Sequence, residues 1–446
     1  MKTPIVDFVK AYQAQGISRL HMPGHKGASF LGCEPYDITE IQGADDLYHP
    51  EGIIQKSECN ATRLFLSGQT AYSTQGSTQG ISAMLYMVSK KAKEMGKECH
   101  VLATRNVHRA FIHACALLDI KVTWLYGASK DSLCACTLTV SMVEEAIKAH
   151  APTAVFVTSP DYLGNVQPLT ALYALCQAHG AYLLVDNAHG AYRHFLPVSK
   201  HPLTLGCDVC CDSAHKTLPV VTGGAYLHVS KQAKDVFAPL LKEALSVFGS
   251  SSPSYITLQS LDLANGYLAT TFSAQLNQCI KKVETLKALL SSHGWEVLLG
   301  EELKIVLAPR ANGYTGMELA DCLRTHQVEC EYSDLSYVVL MLTPQNTPVD
   351  FERIEHALCT LEKRPSLPPV MTHCHQGEKV LSLREAMFAP STLLCVQKAV
   401  GKVCANSVLT CPPAIALAVS GERITKETVA FLLENGVQTI KVIKEL

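Results

Sequence analysis

A chain of 446 residues that is 48% apolar and 17% charged holds enough hydrophobic side chain for more than one folded domain and is not a disordered chain. Its net charge of −2 gives no reason to expect nucleic acid or an anionic membrane as a partner. No apolar run is long enough to span a bilayer, and Met1 to Lys10 has mixed charge without a signal-peptide core, so a cytoplasmic protein is expected.

Residues 1–60 read as an N-terminal arm. It carries His21-Met22-Pro23-Gly24-His25-Lys26-Gly27, then Asp37-Ile38-Thr39-Glu40 and Gly43-Ala44-Asp45-Asp46-Leu47-Tyr48. Gly and Pro at this density predict turns. So many His, Lys and Asp beside aromatics suit a subunit contact or the wall of a site. From residue 61 strands alternate with helices. Gly76-Ser77-Thr78-Gln79-Gly80 precedes Ile81, Met84, Leu85 and Val88, a helical stripe. A glycine–hydroxyl loop that opens a helix is a ready anion site, although Ser and Thr also begin helices as simple caps. A strand over Cys99 to Ala103, a helix from Val107 and a strand over Lys121 to Tyr126 follow. Ser141 and Glu144 have the spacing of a capping box for a helix ending near His150. Thr153 to Thr158 is a strand, and a helix over Leu169 to His179 stops at Gly180. This alternation predicts an α/β fold with a mostly parallel sheet, whose ligands sit at the carboxyl ends of its strands.

Two such ends carry chemistry. In Tyr182-Leu183-Leu184-Val185-Asp186-Asn187-Ala188-His189-Gly190 an acid closes an apolar strand, where packing gives no reason for a charge. In Ser213-Ala214-His215-Lys216-Thr217 a lysine follows the apolar run Cys207 to Asp212 and precedes a strand over Gly224 to Val229. A desolvated lysine at a strand end is a good imine former. Lysine and aspartate at two strand ends are the pair that pyridoxal phosphate needs, one for the imine and one for the pyridine nitrogen. A lone lysine would read as an ordinary surface residue.

Tyr255 to about Leu290 is predicted helical with one break. Elements from Trp295 to Leu361 form an α+β unit: a helix over Gly316 to Thr325, strands over Val328 to Glu331 and Tyr337 to Leu342, and a helix to Leu361. Lys363 to Pro369 is a linker by composition. The domains are thus an arm (1–60), a cofactor-binding large domain (61–265), a small α+β domain (266–365) and a C-terminal domain (366–446), which carries Arg384-Glu385-Ala386 and a Cys411-Pro412-Pro413 turn. The 18 cysteines lie mostly in apolar segments and read as reduced packing residues. The CxxC at Cys207 and Cys210 and the stretch His373-Cys374-His375 lack a second half at zinc spacing, so no metal is expected.

Taken together, HMPGHKG (21–27), DITEIQGADDLY (37–48), QGSTQG (75–80), RNVHRA (105–110), VTSPDYLG (157–164), LLVDNAHGAY (183–192), SAHKTL (213–218) and SSPSY (251–255) resemble the ornithine/lysine/arginine decarboxylases. These are pyridoxal-phosphate enzymes of fold type I, the aminotransferase-like class with a seven-stranded-type sheet. The stretches cover about the first 260 residues in the family's order, and the later half is similar mainly in layout. The chain looks like the short members, which lack an N-terminal wing domain.

The resemblance implies roles. Lys216 would hold the cofactor as an imine, and Asp186 would pair with the ring nitrogen. Gly76, Ser77 and Thr78 would hold the phosphate, with a hydroxyl from Ser213. His108 would stack on the ring, although as a residue alone it reads more readily as a helix cap. His215 would touch the phosphate or deliver a proton, and His189 would lie near the ring. Ser251 and Ser252 would reach the phosphate of a neighbouring subunit across a homodimer or higher oligomer, or simply form a Ser/Pro turn. Asn187 stands where a Glu is common, Gly223 near a usual Gln, and Gln75 where an Asn usually precedes the glycine.

The implied reaction removes the α-carboxylate of lysine, arginine or ornithine as CO₂, giving a diamine or polyamine, a step of polyamine biosynthesis. Glu40, Asp45 and Asp46 are candidates to meet the substrate's distal cation. The competing readings are an aminotransferase or lyase on the same scaffold and a non-catalytic cofactor-binding protein. A transaminase would need an arginine clamp, for which Arg63, Arg105, Arg193 and Arg384 are available.

Overall fold

The computed structural model describes residues 1–127, 132–370, 377–409 and 414–444. His373-Cys374-His375 and Cys411-Pro412-Pro413 lie outside them. Seven strands form one mixed sheet: β1 (Gln69–Ser73), β2 (His100–Thr104), β3 (Lys121–Leu125), β4 (Ala154–Thr158), β5 (Tyr182–Asp186), β6 (Val209–Asp212) and β7 (Ala225–Val229), in the order β1-β7-β6-β5-β4-β2-β3. The pairs β2/β3, β2/β4 and β5/β6 are parallel, and β7 runs antiparallel to β1 and β6. Interleaved helices are α1 (Pro4–Ala14), α2 (Ile53–Leu64), α3 (Gly76–Glu94), α4 (Arg109–Leu118), α5 (Val140–His150), α6 (Leu169–Ala178), α7 (Pro202–Leu205) and α8 (Ala214–Thr217). This is the α/β class the alternation predicts. The chain divides into two compact units, Met1–Lys91 with Tyr182–Asn277 and Ala92–Ala181 with Gln278–Leu446.

In the first unit the arm holds more helix than its composition suggests. Helix α1 starts with Pro4 in its first turn, and the backbone N–H groups of Ile5 and Val6 donate to Asp262 Oδ2 at 2.9 and 3.1 Å. Helix α2 is held by Asp45, whose Oδ2 accepts from the N–H groups of Gly52, Ile54 and Gln55. Between the two helices the Gly/Pro-rich stretch forms turns, with one short 3₁₀ segment, Glu34–Tyr36. Strands β5, β6 and β7 are buried almost throughout, as continuous apolar runs in a mostly parallel sheet must be.

In the second unit, β2 and β4 are fully or nearly fully buried. Helix α5 begins earlier than the Ser141–Glu144 spacing suggests. Its cap is Thr139, which accepts from Met142 N, and Glu144 instead pairs with Lys148 at 2.5 Å. The long helical stretch is broken once, into Tyr255–Leu268 and Phe272–Ser292. A three-stranded antiparallel sheet follows: β8 (Lys304–Leu307), β9 (Tyr332–Ser333) and β10 (Val338–Met341), in the order β8-β10-β9. The last segment pairs Ser391–Cys395 with Thr439–Ile443 and Val408–Leu409 with Ala416–Ala418, over a core that includes Val396, Leu417, Leu432 and Val442. Arg384 donates to the carbonyls of Ala116 and Leu117 and so ties this segment to the end of α4.

Candidate active site

The site is built on the carboxyl ends of β5 and β6. The strands are parallel, with Asp186 opposite Cys211, so their ends open on the same side of the sheet. Asp186 is the last residue of β5 and is 2% exposed. Its Oδ1 accepts from Ala188 N at 3.1 Å. Burial pushes its pKa up to about 6, against the pull of the Lys216 cation, and the charge of Asp212 pushes the same way as burial.

Lys216 sits on α8, a single turn that starts directly after β6 and Ser213. Its Nζ lies 2.9 Å from His189 Nε2. A lysine ammonium can only donate, so His189 meets it with an unprotonated Nε2. His189 is held by a tight turn, closed by Gly190 N donating to Asn187 O at 2.8 Å. The chain that leaves Asp186 therefore returns a histidine to Lys216 within three residues.

The glycine–hydroxyl loop joins the same unit. Gly76 takes a left-handed backbone (φ +70°) that only glycine adopts without strain, and its N–H donates to Gly223 O at 2.7 Å. Ser213 Oγ donates to Ser77 Oγ at 2.7 Å, which links the lysine turn to the start of α3. Gly80 lets α3 lie close on β6, since a Cβ there would stand 2.3 Å from Cys211 Sγ. His215 Nδ1 is 3.0 Å from Gly224 O, beside the same loop.

The other residues named from the sequence have the following surroundings. Thr78 is exposed on the first turn of α3. Ser251 and Ser252 are exposed in a bend. Gln75 reaches towards them, its amide spanning Phe248 O and Ser250 N. His108 belongs to the other unit and caps α4, its Nδ1 accepting from Ala110 N at 3.2 Å. Asp45 accepts five backbone N–H groups between Asp46 and Gln55, so it serves as a helix cap. Asp46 likewise accepts from Tyr48 N and His49 N, whereas Glu40 is exposed and accepts from Thr39 Oγ1. Of the arginines, Arg63 donates to Asn60, Arg105 to Ala416 O and Arg384 to Ala116 O and Leu117 O.

One cluster is not apparent from the sequence. Asp212, at the end of β6, is fully buried, and its carboxylate gathers three side-chain nitrogens: Asn187 Nδ2 at 2.7 Å, His201 Nε2 at 2.9 Å and His228 Nε2 at 3.3 Å. Burial alone would raise its pKa, but His201 and His228 outweigh this and hold it far below the ordinary carboxylate range. His201, Cys210 and Asp212 also bring potential metal-ligand atoms within 4.8 Å of one another.

Residues 3–306 match the family described as "Orn/Lys/Arg decarboxylase, major domain". The chain belongs to that family. It is 27% identical to an arginine decarboxylase of Halalkalibacterium halodurans over 498 residues, covering 100% of this chain and 98% of the relative. It is 25% identical to an arginine decarboxylase of Bacillus subtilis, covering 97% and 94%. Among solved structures, a lysine decarboxylase of Pseudomonas aeruginosa aligns with a TM-score of 0.83 at 15% identity, over 99% of this chain and 80% of that one. This decarboxylase is therefore a fold-type I amino acid decarboxylase that uses pyridoxal phosphate. The donor set fits the cofactor: a buried carboxylate suits a pyridinium, a half-buried lysine at a strand end suits an aldehyde, and a Gly-Ser loop opening a helix suits a phosphate. Among the described residues no helix is long and apolar enough to cross a membrane.

Proposed function

We propose that the protein decarboxylates a basic amino acid, lysine, arginine or ornithine, to the corresponding amine. The observation that carries this reading is the pair of Asp186, at the end of β5, and Lys216, four residues past the end of the neighbouring β6, in a chain matched over its whole length by arginine decarboxylases. Bound at this pair, pyridoxal phosphate supplies an electron sink for the bond between Cα and the carboxylate. Lys216 would hold the cofactor covalently. Asp186 would keep a proton on the ring nitrogen, and burial strengthens that ion pair. Gly76, Ser77, Thr78 and Ser213 would hold the phosphate. His189 holds Lys216 Nζ in place and would lie against the ring. His108 would stack on the ring.

When CO₂ leaves, Cα must gain one proton. Lys216 Nζ and His215 are the candidate donors. His215 Nδ1 donates to the Gly224 carbonyl, so Nε2 would have a proton to give only in the imidazolium form. Of Glu40, Asp45 and Asp46, Glu40 is the one whose carboxylate is not engaged by backbone N–H groups among the described residues, and it is the candidate for the distal cation. Ser251 and Ser252, exposed in the single chain, would reach the phosphate of a second copy in a homodimer. The reaction would stand in cytoplasmic polyamine biosynthesis.

The test is CO₂ release from lysine, arginine and ornithine, with the product identified. An amine and CO₂ in equal amounts from one of the three is the expected result. A keto acid, or no CO₂ from any of them, would overturn the reading.

A further inference from the structure

Asn187 follows Asp186 directly, and Asp212 stands four residues before Lys216. Asn187 makes three bonds. Its N–H donates to Cys211 O at 2.9 Å, which extends the β5/β6 ladder one residue beyond Asp186. Its carbonyl accepts from Gly190 N and closes the turn that presents His189 to Lys216. Its side-chain Nδ2 donates to Asp212 Oδ1 at 2.7 Å. Side chains alternate along a strand, so Asn187 and Asp186 point to opposite faces, as do Asp212 and Cys211. The bond between Asn187 and Asp212 thus lies behind the sheet, under the residues that face the cofactor.

We infer that Asn187 and Asp212 are positioning residues: their side-chain bond fixes the end of β5, with Asp186 and His189, to the end of β6, which leads into Lys216. This rests on the reading of Asp186 and Lys216 as the cofactor's partners. The identity of residue 187 follows from its neighbour. Asp212 Oδ2 faces His201 Nε2 and His228 Nε2, and Oδ1 faces residue 187. His201 Nδ1 accepts from Leu203 N, so its Nε2 carries the proton and donates. His228 Nδ1 lies 2.8 Å from Thr70 Oγ1. With the carboxylate's other oxygen so occupied, residue 187 must bring a donor. An acid there would set two carboxylates against each other in a dry site.

The geometry also specifies a rescue. In Asn187→Asp the bond becomes a repulsion. In the double variant Asn187→Asp with Asp212→Asn, the amide introduced at position 212 can give Nδ2 to the carboxylate introduced at position 187 and Oδ1 to the two histidines. That restores every bond and the net charge.

The test titrates pyridoxal phosphate into the apo forms of the wild type, both single variants and the double variant, following visible absorption. Thermal unfolding of each apo form is measured alongside. The expected result is cofactor affinity at least about tenfold weaker in Asn187→Asp and back to within about threefold of wild type in the double variant. The pH at which the bound cofactor's spectrum changes should shift in the single variant and return in the double. If Asn187→Asp is not recovered folded, Asn187→Ser carries the test, with affinity several-fold weaker. Wild-type affinity in the folded single variant, or no recovery in the double, overturns the inference. So does one tightly bound metal per chain whose removal by a chelator weakens cofactor binding, since a cation would then hold Asp212. Failure of the wild type to bind the cofactor would instead strike the reading of Asp186 and Lys216.

Discussion

Asp186 and Asp212 close neighbouring parallel strands, both buried, and end in opposite electrostatic states. Asp186 faces one cation and one backbone N–H, and burial lifts its pKa to about 6. Asp212 faces two imidazoles and an amide, and its charge is held far more firmly than that of a free carboxylate. The same residue type at the same kind of position is left short of partners on one face of the sheet and saturated on the other. A carboxylate short of partners is ready for a ligand's positive charge, whereas a saturated one serves the fold.

The comparison breaks first at Asp212. Asp212→Ala leaves two buried histidines and Asn187 facing a void and should destabilise the apo protein by about 3–5 kcal/mol, read by denaturant unfolding. A loss below about 1 kcal/mol would mean that the cluster adds nothing to the fold. Asp186→Asn should do the converse, costing no stability while lowering the rate of CO₂ release by about 10²–10³.

The pH dependence of apo stability sharpens the contrast. Asp186 has a raised folded pKa, so the folded state binds the extra proton, and stability falls as pH rises from about 4 to about 6. Asp186→Asn should remove that fall. Asp212 has a lowered folded pKa, so its contribution is present above the unfolded value of about 4 and is lost as pH falls through the folded one. Asp212→Asn should flatten the acid side instead. Melting temperature against pH for the two variants checks both signs.

Smaller effects fall where the start of α3 packs against the end of β6. Gly80→Ala would push α3 off β6 through Cys211 and should cost about 1–3 kcal/mol, with weaker cofactor binding. Ser213→Ala loses the bond to Ser77 and should cost about 0.5–1.5 kcal/mol of cofactor affinity, checked by titration.

How far the sequence can be read follows the range of the interactions. Strand ends are legible because an acid closing an apolar run conflicts with packing, and that rule finds Asp186. The same rule applies to Asp212, which closes Cys207 to Asp212, yet in the sequence it reads only as part of the lysine's strand. Its partners His201 and His228 lie 11 and 16 residues away in no recognisable spacing. Helix α1 is hidden for a similar reason, because the carboxylate that holds its first turn is Asp262, some 257 residues on. Asp45 reads as a substrate contact because its role as the cap of α2 depends on how the chain folds back after Tyr48. His108 reads as a helix cap or a ring contact, and its Nδ1 does cap α4.

The most direct measurement is the visible absorption of the purified protein with pyridoxal phosphate, wild type against Lys216→Ala. The account predicts a visible band that requires Lys216 and survives, with altered pH dependence, in Asp186→Asn. A band unchanged in Lys216→Ala, or none in the wild type, would contradict it.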